Sequence, residues 1–448
     1  MAISIRLFDG TGGPRHRWPR TLAAAAAATA ALIVTVVVIA CLPGGGARED
    51  DTTTIIRPAE SAAVQCPSNA GAVASDAEPC STLGSSILRA GGNAIDAAVT
   101  TALCLGVVHP ESSGLGGGTF ILIRLANGTA EVIDAREEAP ASAYETMFID
   151  ELNASSTFGG RSVAVPAELA GLRMAWERHG RLPWAQLVEP VAALAEEAPV
   201  DQTLAEGLAS SAWLLRASST AAAAVATFFV REGDAERPLR AGETLRNVEL
   251  AATLRAIAKD GVEALRAGPI AEAIVQTVRQ AGGNLTLADL QRYSPVVREP
   301  LTMEAMGTTF LGVPPPSSGG ATVLQALRFL SGFEMPLASA SPALSAHRTV
   351  EALKHAFALR MRLGDPAFVP GTAEVVRDML SAAFNDELRA GESDTATRPL
   401  GEYGGRMAPN VTLPSDSGTS HASVVDGDGN AVAFTTTINT AFGSKLLV

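Results

Sequence analysis

The residues with the most chemical promise sit near the end of the 448-residue chain. SHASVVD, then Gly427-Asp428-Gly429-Asn430, then AVAFTTTIN reads as two alternating strands joined by a tight turn. With Asp428-Gly429 as the central turn residues, Thr419 faces Ile438 and stands within one residue of Thr437. Period-two alternation then puts Thr437 and Asn439 on one face. A hydroxyl with a second hydroxyl and a carboxamide beside it is a candidate functional cluster. The plain alternative is ordinary threonine-rich strand composition.

The elements that must hold such a site are legible upstream. Cys80 to Val108 follows a helical period broken at Gly91-Gly92, with Asn93 capping the second piece. TFILIRL and TAEVIDA around Asn127-Gly128 read as a hairpin. Residues 165–290 are mostly helical. Pro314-Pro315-Pro316-Ser317-Ser318-Gly319-Gly320 is an extended loop opening a further helix, and 343–364 form another. The glycine run at 114–118 lacks the lysine and the spacing of a phosphate loop, so it reads as close backbone packing or a ligand-lining loop.

The chain is 47% apolar and 18% charged, as a folded protein should be. Its net charge of −13 and the lack of a basic stripe beyond the first 20 residues argue against nucleic acid as a partner. None of the four cysteines forms a CxxC pair, which argues against a zinc site.

Thr21–Leu42 is an uncharged run of 22 residues, long enough to cross a core of roughly 30 Å. Arg6, Arg15, Arg17 and Arg20 precede it, and Arg48, Glu49, Asp50 and Asp51 follow. The expectation is a cytosolic tail (1–20), a transmembrane signal anchor (21–42), a linker (43–70) and an extracellular or lumenal body, a single-pass type II arrangement. A cleaved signal peptide is the alternative. Sequons at Asn127, Asn153, Asn284 and Asn410 agree with the secretory route. There, Cys80 and Cys104 are either a disulfide or two buried thiols, and Cys66 would be left over.

The blocks Gly418-Thr419-Ser420-His421, Ser423-Val424-Val425, Thr435-Thr436-Thr437-Ile438-Asn439 and Phe442-Gly443-Ser444 resemble the start of the small subunit of gamma-glutamyltransferases. Upstream, Gly91–Ala98, Gly114–Gly118, Asp134-Ala135-Arg136-Glu137, Gly180–Trp184, Pro314–Gly320 and Gly364-Asp365-Pro366 match the same family in order. The resemblance covers roughly 70–448 and splits it into a large-subunit region (71–418) and the start of a small subunit (419–448).

That resemblance implies an α+β fold, the N-terminal-nucleophile αββα sandwich. It implies self-cleavage at Gly418–Thr419, with the subunits staying together. Thr419 then supplies the nucleophile, and its freed α-amine, with a reference pKa of about 8, the base. Arg136 would grip the substrate α-carboxylate, its fork matching two oxygens; the alternative is a surface arginine paired with Glu137 or Glu138. Thr437 and Asn439 would orient Thr419 and hold the glutamyl group, and His421 reads as a bystander. The implied substrates are glutathione and γ-glutamyl compounds, with water, amino acids or dipeptides as acceptors and no metal or organic cofactor. A related acylase and a non-enzymatic, uncleaved paralogue are the rivals.

Family members continue with a longer small subunit carrying acidic residues, a serine pair and a Gly-Gly oxyanion site. The sequence ends before those positions, so the fold is expected to be incomplete at its C-terminus. This exact chain is expected to be poorly active, since oxyanion donors contribute about 10²–10³ in rate.

Overall fold

The computed structural model describes residues 71–149, 155–216, 229–231, 234–333, 341–405 and 418–448. The apolar run at 21–42, the linker, Cys41, Cys66 and the sequons at Asn153 and Asn410 lie outside them. Among the described residues no helix is long and apolar enough to cross a membrane.

The hairpins form where alternation places them, as β2 (Gly118–Arg124) with β3 (Ala130–Ala135), and β7 (Ser420–Val425) with β8 (Ala431–Thr437). Both turns are built alike. Leu125 and Asp426 each receive the amide of the residue three positions on, and Gly128 (φ 91°) and Gly429 (φ 89°) take the left-handed conformation. Each loop therefore holds three residues, a type I turn closed by a glycine, rather than the expected two. Together with β1 (Ala72–Ser75) and β4 (Val296–Arg298) they make a six-stranded sheet, antiparallel throughout, in the order β1-β7-β8-β2-β3-β4, while β5 (Leu301–Ala305) and β6 (Thr308–Gly312) pair separately. Thus the strands from 419–448 are inserted between strands that come some 300 residues earlier in the chain.

One face of the sheet is sealed. Ala422, Val424, Val432, Phe434, Ile121, Ile123 and Ile133 are buried beneath α2 (Ala94–Val108), which crosses β7 and β8, and α3 (Glu168–His179), which crosses β2 and β3. Fourteen of the fifteen residues of α2 are buried, as expected for a helix that is apolar all round. Its outer side is covered by α1 (Glu78–Arg89) and α4 (Trp184–Glu196), and α4 in turn packs on α6 (Val248–Asp260), past α5 (Gln202–Ser210). Cys80 and Cys104 are joined in a disulfide that ties α1 to α2, settling the alternatives left by the sequence. The opposite sheet face, with Phe120, Leu122, Ala433, Thr435 and Ser423, is half-buried, and the second stacked sheet is not found among the described residues. A separate core around Phe329, Leu359, Met379 and Phe384 belongs to the helices at Gly319–Leu330, Pro342–Arg360, Thr372–Leu380 and Ala382–Ala390.

The start of α2 is a polar hub. Asn93 and Asp96 form a reciprocal capping box. The fully buried Asp96 carboxylate also accepts the amides of Arg181 and Leu182 at 3.0–3.1 Å. Asp426, in the β7–β8 turn, accepts the Ala94 amide at 3.0 Å. Removing Asp96 would strand the amides of Asn93, Arg181 and Leu182, each costing about 1–3 kcal/mol where water cannot replace the carboxylate. Asp96→Ala should therefore lower the unfolding free energy in urea by at least about 3 kcal/mol, against a much smaller loss for an exposed acid such as Glu177.

Candidate active site

The three-residue turn sets the register at the open end of the last hairpin. Ser420 pairs with Thr436, so Thr419 comes level with Thr437 rather than with Ile438 as the two-residue turn predicts. The Thr419 hydroxyl donates to Thr437 Oγ1 at 3.3 Å. Thr437 Oγ1 also accepts the Asn439 amide at 2.9 Å and donates to the Gly418 carbonyl oxygen at 3.4 Å. One hydroxyl thus touches both a second hydroxyl and the carbonyl of the peptide bond beside it. Gly418 and Thr419 are exposed, whereas Thr437 is buried.

Thr437 is held from behind. A Cβ on Gly117 would lie 2.0 Å from the Thr437 carbonyl oxygen, so only glycine permits that approach. The Gly117 carbonyl in turn accepts the amides of Ala167 and Glu168 at the N-terminus of α3. Gly117 thus fits the close-packing reading of the glycine run, while Gly114 and Gly116 leave open space where a Cβ would stand and line a cleft. Beyond Thr437 the strand stops. Asn439 takes a left-handed conformation (φ 73°), so alternation does not relate it to Thr437 as the sequence suggested. The Ile438 and Phe442 amides are taken up by the Ser112 and Glu111 carbonyls at 3.1 and 3.0 Å.

Arg136 lies one residue past β3. Its amide donates to Asp134 Oδ1, and its carbonyl accepts the Tyr293 hydroxyl at 2.8 Å. The guanidinium, one-third exposed, donates to Asn439 Oδ1 at 3.3 Å and lies 3.2 Å from Glu137 Oε1. Arg136 thus pairs with Glu137, as the plainer of its two readings had it, and also reaches the carboxamide of Asn439. A cleft of about 300 Å³ opens here, lined by Ser113, Gly114, Gly117, Glu137, Asn439 and Phe442; Thr419 and Arg136 stand outside its lining. His421 bonds Thr435 and Ser423 rather than Thr419, and burial depresses its pKa. Among the described residues no cluster could hold a metal ion.

The sequence reading missed Ser113 and Glu168. Glu168 opens α3 fully buried, and Thr436 donates to its Oε2. Burial pushes its pKa from 4.5 up to about 7, against the pull of the Thr436 hydroxyl and the Gly114 amide, and the charge of Glu137 adds to the rise. A buried acid at the first position of a helix carries no periodic signal, so only the tertiary fold reveals it.

The model of the family described as gamma-glutamyltranspeptidase matches residues 80–448. The chain belongs to that family. It is 46% identical over 383 residues to glutathione hydrolase 2 of Arabidopsis thaliana, covering 84% of this chain and 63% of the relative. It is 41% identical to scoloptoxin SSD14 of Scolopendra dehaani (84% and 64%) and 38% to glutathione hydrolase proenzyme 1 of Schizosaccharomyces pombe (84% and 59%). The chain thus spans about three-fifths of the length of these curated relatives. Among solved structures, Helicobacter pylori gamma-glutamyltranspeptidase superposes with a TM-score of 0.68 at 29% identity, covering 77% of this chain and 98% of that one. Cephalosporin acylase from Bacillus halodurans gives 0.71 at 27%, covering 88% and 71%.

The raised pKa of Glu168 has a signed consequence. The native carboxyl keeps its proton where the unfolded one, near 4.5, has released it. Its contribution to stability is thus fully present below pH 4.5 and is lost as pH rises through about 7. Denaturant titrations should show the Glu168→Gln variant gaining on the wild type as pH rises between those values, with a constant difference above them.

Proposed function

We propose that the protein is a γ-glutamyl transferase and glutathione hydrolase that works through Thr419 after cutting its own chain at Gly418–Thr419. The observation that carries this is the Thr437 hydroxyl, bonded at once to the Thr419 hydroxyl and to the Gly418 carbonyl. In the first step Thr419 Oγ attacks the Gly418 carbonyl carbon. The C–N bond breaks, the hydroxyl proton passes to the departing nitrogen, and an ester remains for water to hydrolyse. Gly418 has no Cβ to obstruct the attack, and Thr437 polarises the carbonyl. The freed α-amine, with a reference pKa of about 8, then deprotonates the Thr419 hydroxyl.

In turnover, that hydroxyl attacks the γ-carbonyl of glutathione or another γ-glutamyl compound. The amine leaves, and water, an amino acid or a dipeptide resolves the γ-glutamyl ester. Arg136 would take the α-carboxylate in its fork, with Asn439 beside it. The 2.9 Å bond from the Asn439 amide would keep Thr437 aligned. The complete arrangement on this reading is the αββα sandwich, with the half-buried sheet face turned to a second sheet. The body would lie outside the cytosol, anchored by 21–42; the Cys80–Cys104 disulfide fits an oxidising compartment.

The likeness to a cephalosporin acylase supports a second reading, an acylase for amides lacking the amino-acid head. Assays of a γ-glutamyl anilide against the matching glutaryl anilide separate the two. The expected result is preference for the γ-glutamyl compound, no turnover by Thr419→Ala, and a rise in KM of about 100-fold in Arg136→Ala. Equal rates on both anilides, or an Arg136→Ala variant with unchanged KM, would favour the acylase.

A further inference from the structure

On the helix-facing side of β8, one residue from Thr437, runs a line of buried polar groups that the proposed chemistry does not use. Ser113 Oγ lies 3.1 Å from Thr436 Oγ1, which donates in turn to Glu168 Oε2. Ser113, Thr436 and Glu168 are 2%, 0% and 0% exposed. Ser113 belongs to the 109–114 loop, whose Ser112 and Glu111 carbonyls hold the Ile438 and Phe442 amides on either side of Asn439. Glu168 also supplies one of the two α3 amides on the Gly117 carbonyl, and Gly117 is the residue pressed against Thr437. The strand end that presents Thr437, the turn that presents Asn439 and the glycine behind them are thus tied to one residue.

A carboxyl is a poor choice if that position needs only packing. Burying one unpaired costs more than an apolar side chain of the same size would. The charged group turned toward it is Glu137, of like sign, and α3 and β8 bring no cation to it. Its Thr436 bond therefore has a geometric task.

We propose that Glu168 is a positioning residue for Thr419. Through Thr436 and Ser113 it fixes the end of β8 against the 109–114 loop, and so fixes Thr437 and Asn439. This rests on the reading of Thr419 as nucleophile.

Two readouts on the full chain test it. In the uncleavable Thr419→Ala background, hydrogen exchange of the Ile438 and Phe442 amides should rise about tenfold with Glu168→Ala or Thr436→Val, the loss of roughly one buried hydrogen bond. Glu168→Gln, which keeps an acceptor for Thr436, should restore slow exchange. In the Thr419 chain, Glu168→Ala should slow cleavage at Gly418–Thr419 by about tenfold or more, as small misplacements of reacting groups do. Glu168→Gln should cleave near the wild-type rate but lose an inflection that the wild type shows near pH 7. Should Glu168→Ala not fold, the glutamine variant's pH profile carries the test. Unchanged exchange in Glu168→Ala, or identical pH profiles for wild type and Glu168→Gln, would overturn this proposal alone. A wild-type chain that stays whole would overturn the nucleophile assignment and the positioning role together.

Discussion

One hydroxyl organises this site. Thr437 Oγ1 accepts from Thr419 and from the Asn439 amide, and its own proton reaches the Gly418 carbonyl. Those three bonds use a hydroxyl's capacity of one donation and two acceptances in full. None of the three partners can drift without leaving the group less satisfied, which is costly for a buried oxygen. Thr437 is buried while Thr419 is exposed, so the fixed partner sits inside and the proposed nucleophile faces out.

Everything behind Thr437 serves to hold it still. Gly117 is clamped between the start of α3 and the end of β8, at a distance only glycine allows. The 109–114 loop takes up two amides of the turn that follows the strand. At the far end of the hairpin, Asp426 bonds to the start of α2. The β7–β8 hairpin is thereby pinned at both ends in the middle of a sheet whose neighbouring strands come from the beginning of the described chain. That non-local arrangement is compatible with the proposed cleavage, because cutting beside β7 removes no ladder contact. The polypeptide can break at Gly418–Thr419 and the sheet stays whole.

The sequence carried most of the local structure. Alternation placed both hairpins, Gly91-Gly92 split the helix where α1 ends, and Asn93 capped α2 as its type and position require. The register of the last hairpin came out one residue off. Asp-Gly and Asn-Gly suit two-residue loops, but here Gly128 and Gly429 close three-residue ones. A single dipeptide does not tell the two apart. The left-handed turn at Asn439 broke an alternation that carried no stop signal of its own. Arg136 was legible through its neighbours in the Asp134–Glu137 block, although its pairing with Glu137 was the plainer reading of the two. Glu168 was not legible at all, since its significance comes from a contact with a residue 268 positions away.

The central claim is that Thr437 turns Gly418–Thr419 into a bond the chain itself can break. The most direct measurement is the intact mass and N-terminal sequence of the purified protein beside its Thr437→Val variant, which keeps the shape of the side chain and removes its oxygen. The account predicts a new chain beginning at Thr419 in the wild type and an uncut chain in the variant. A variant that is cut at the same bond and the same rate as the wild type would contradict it.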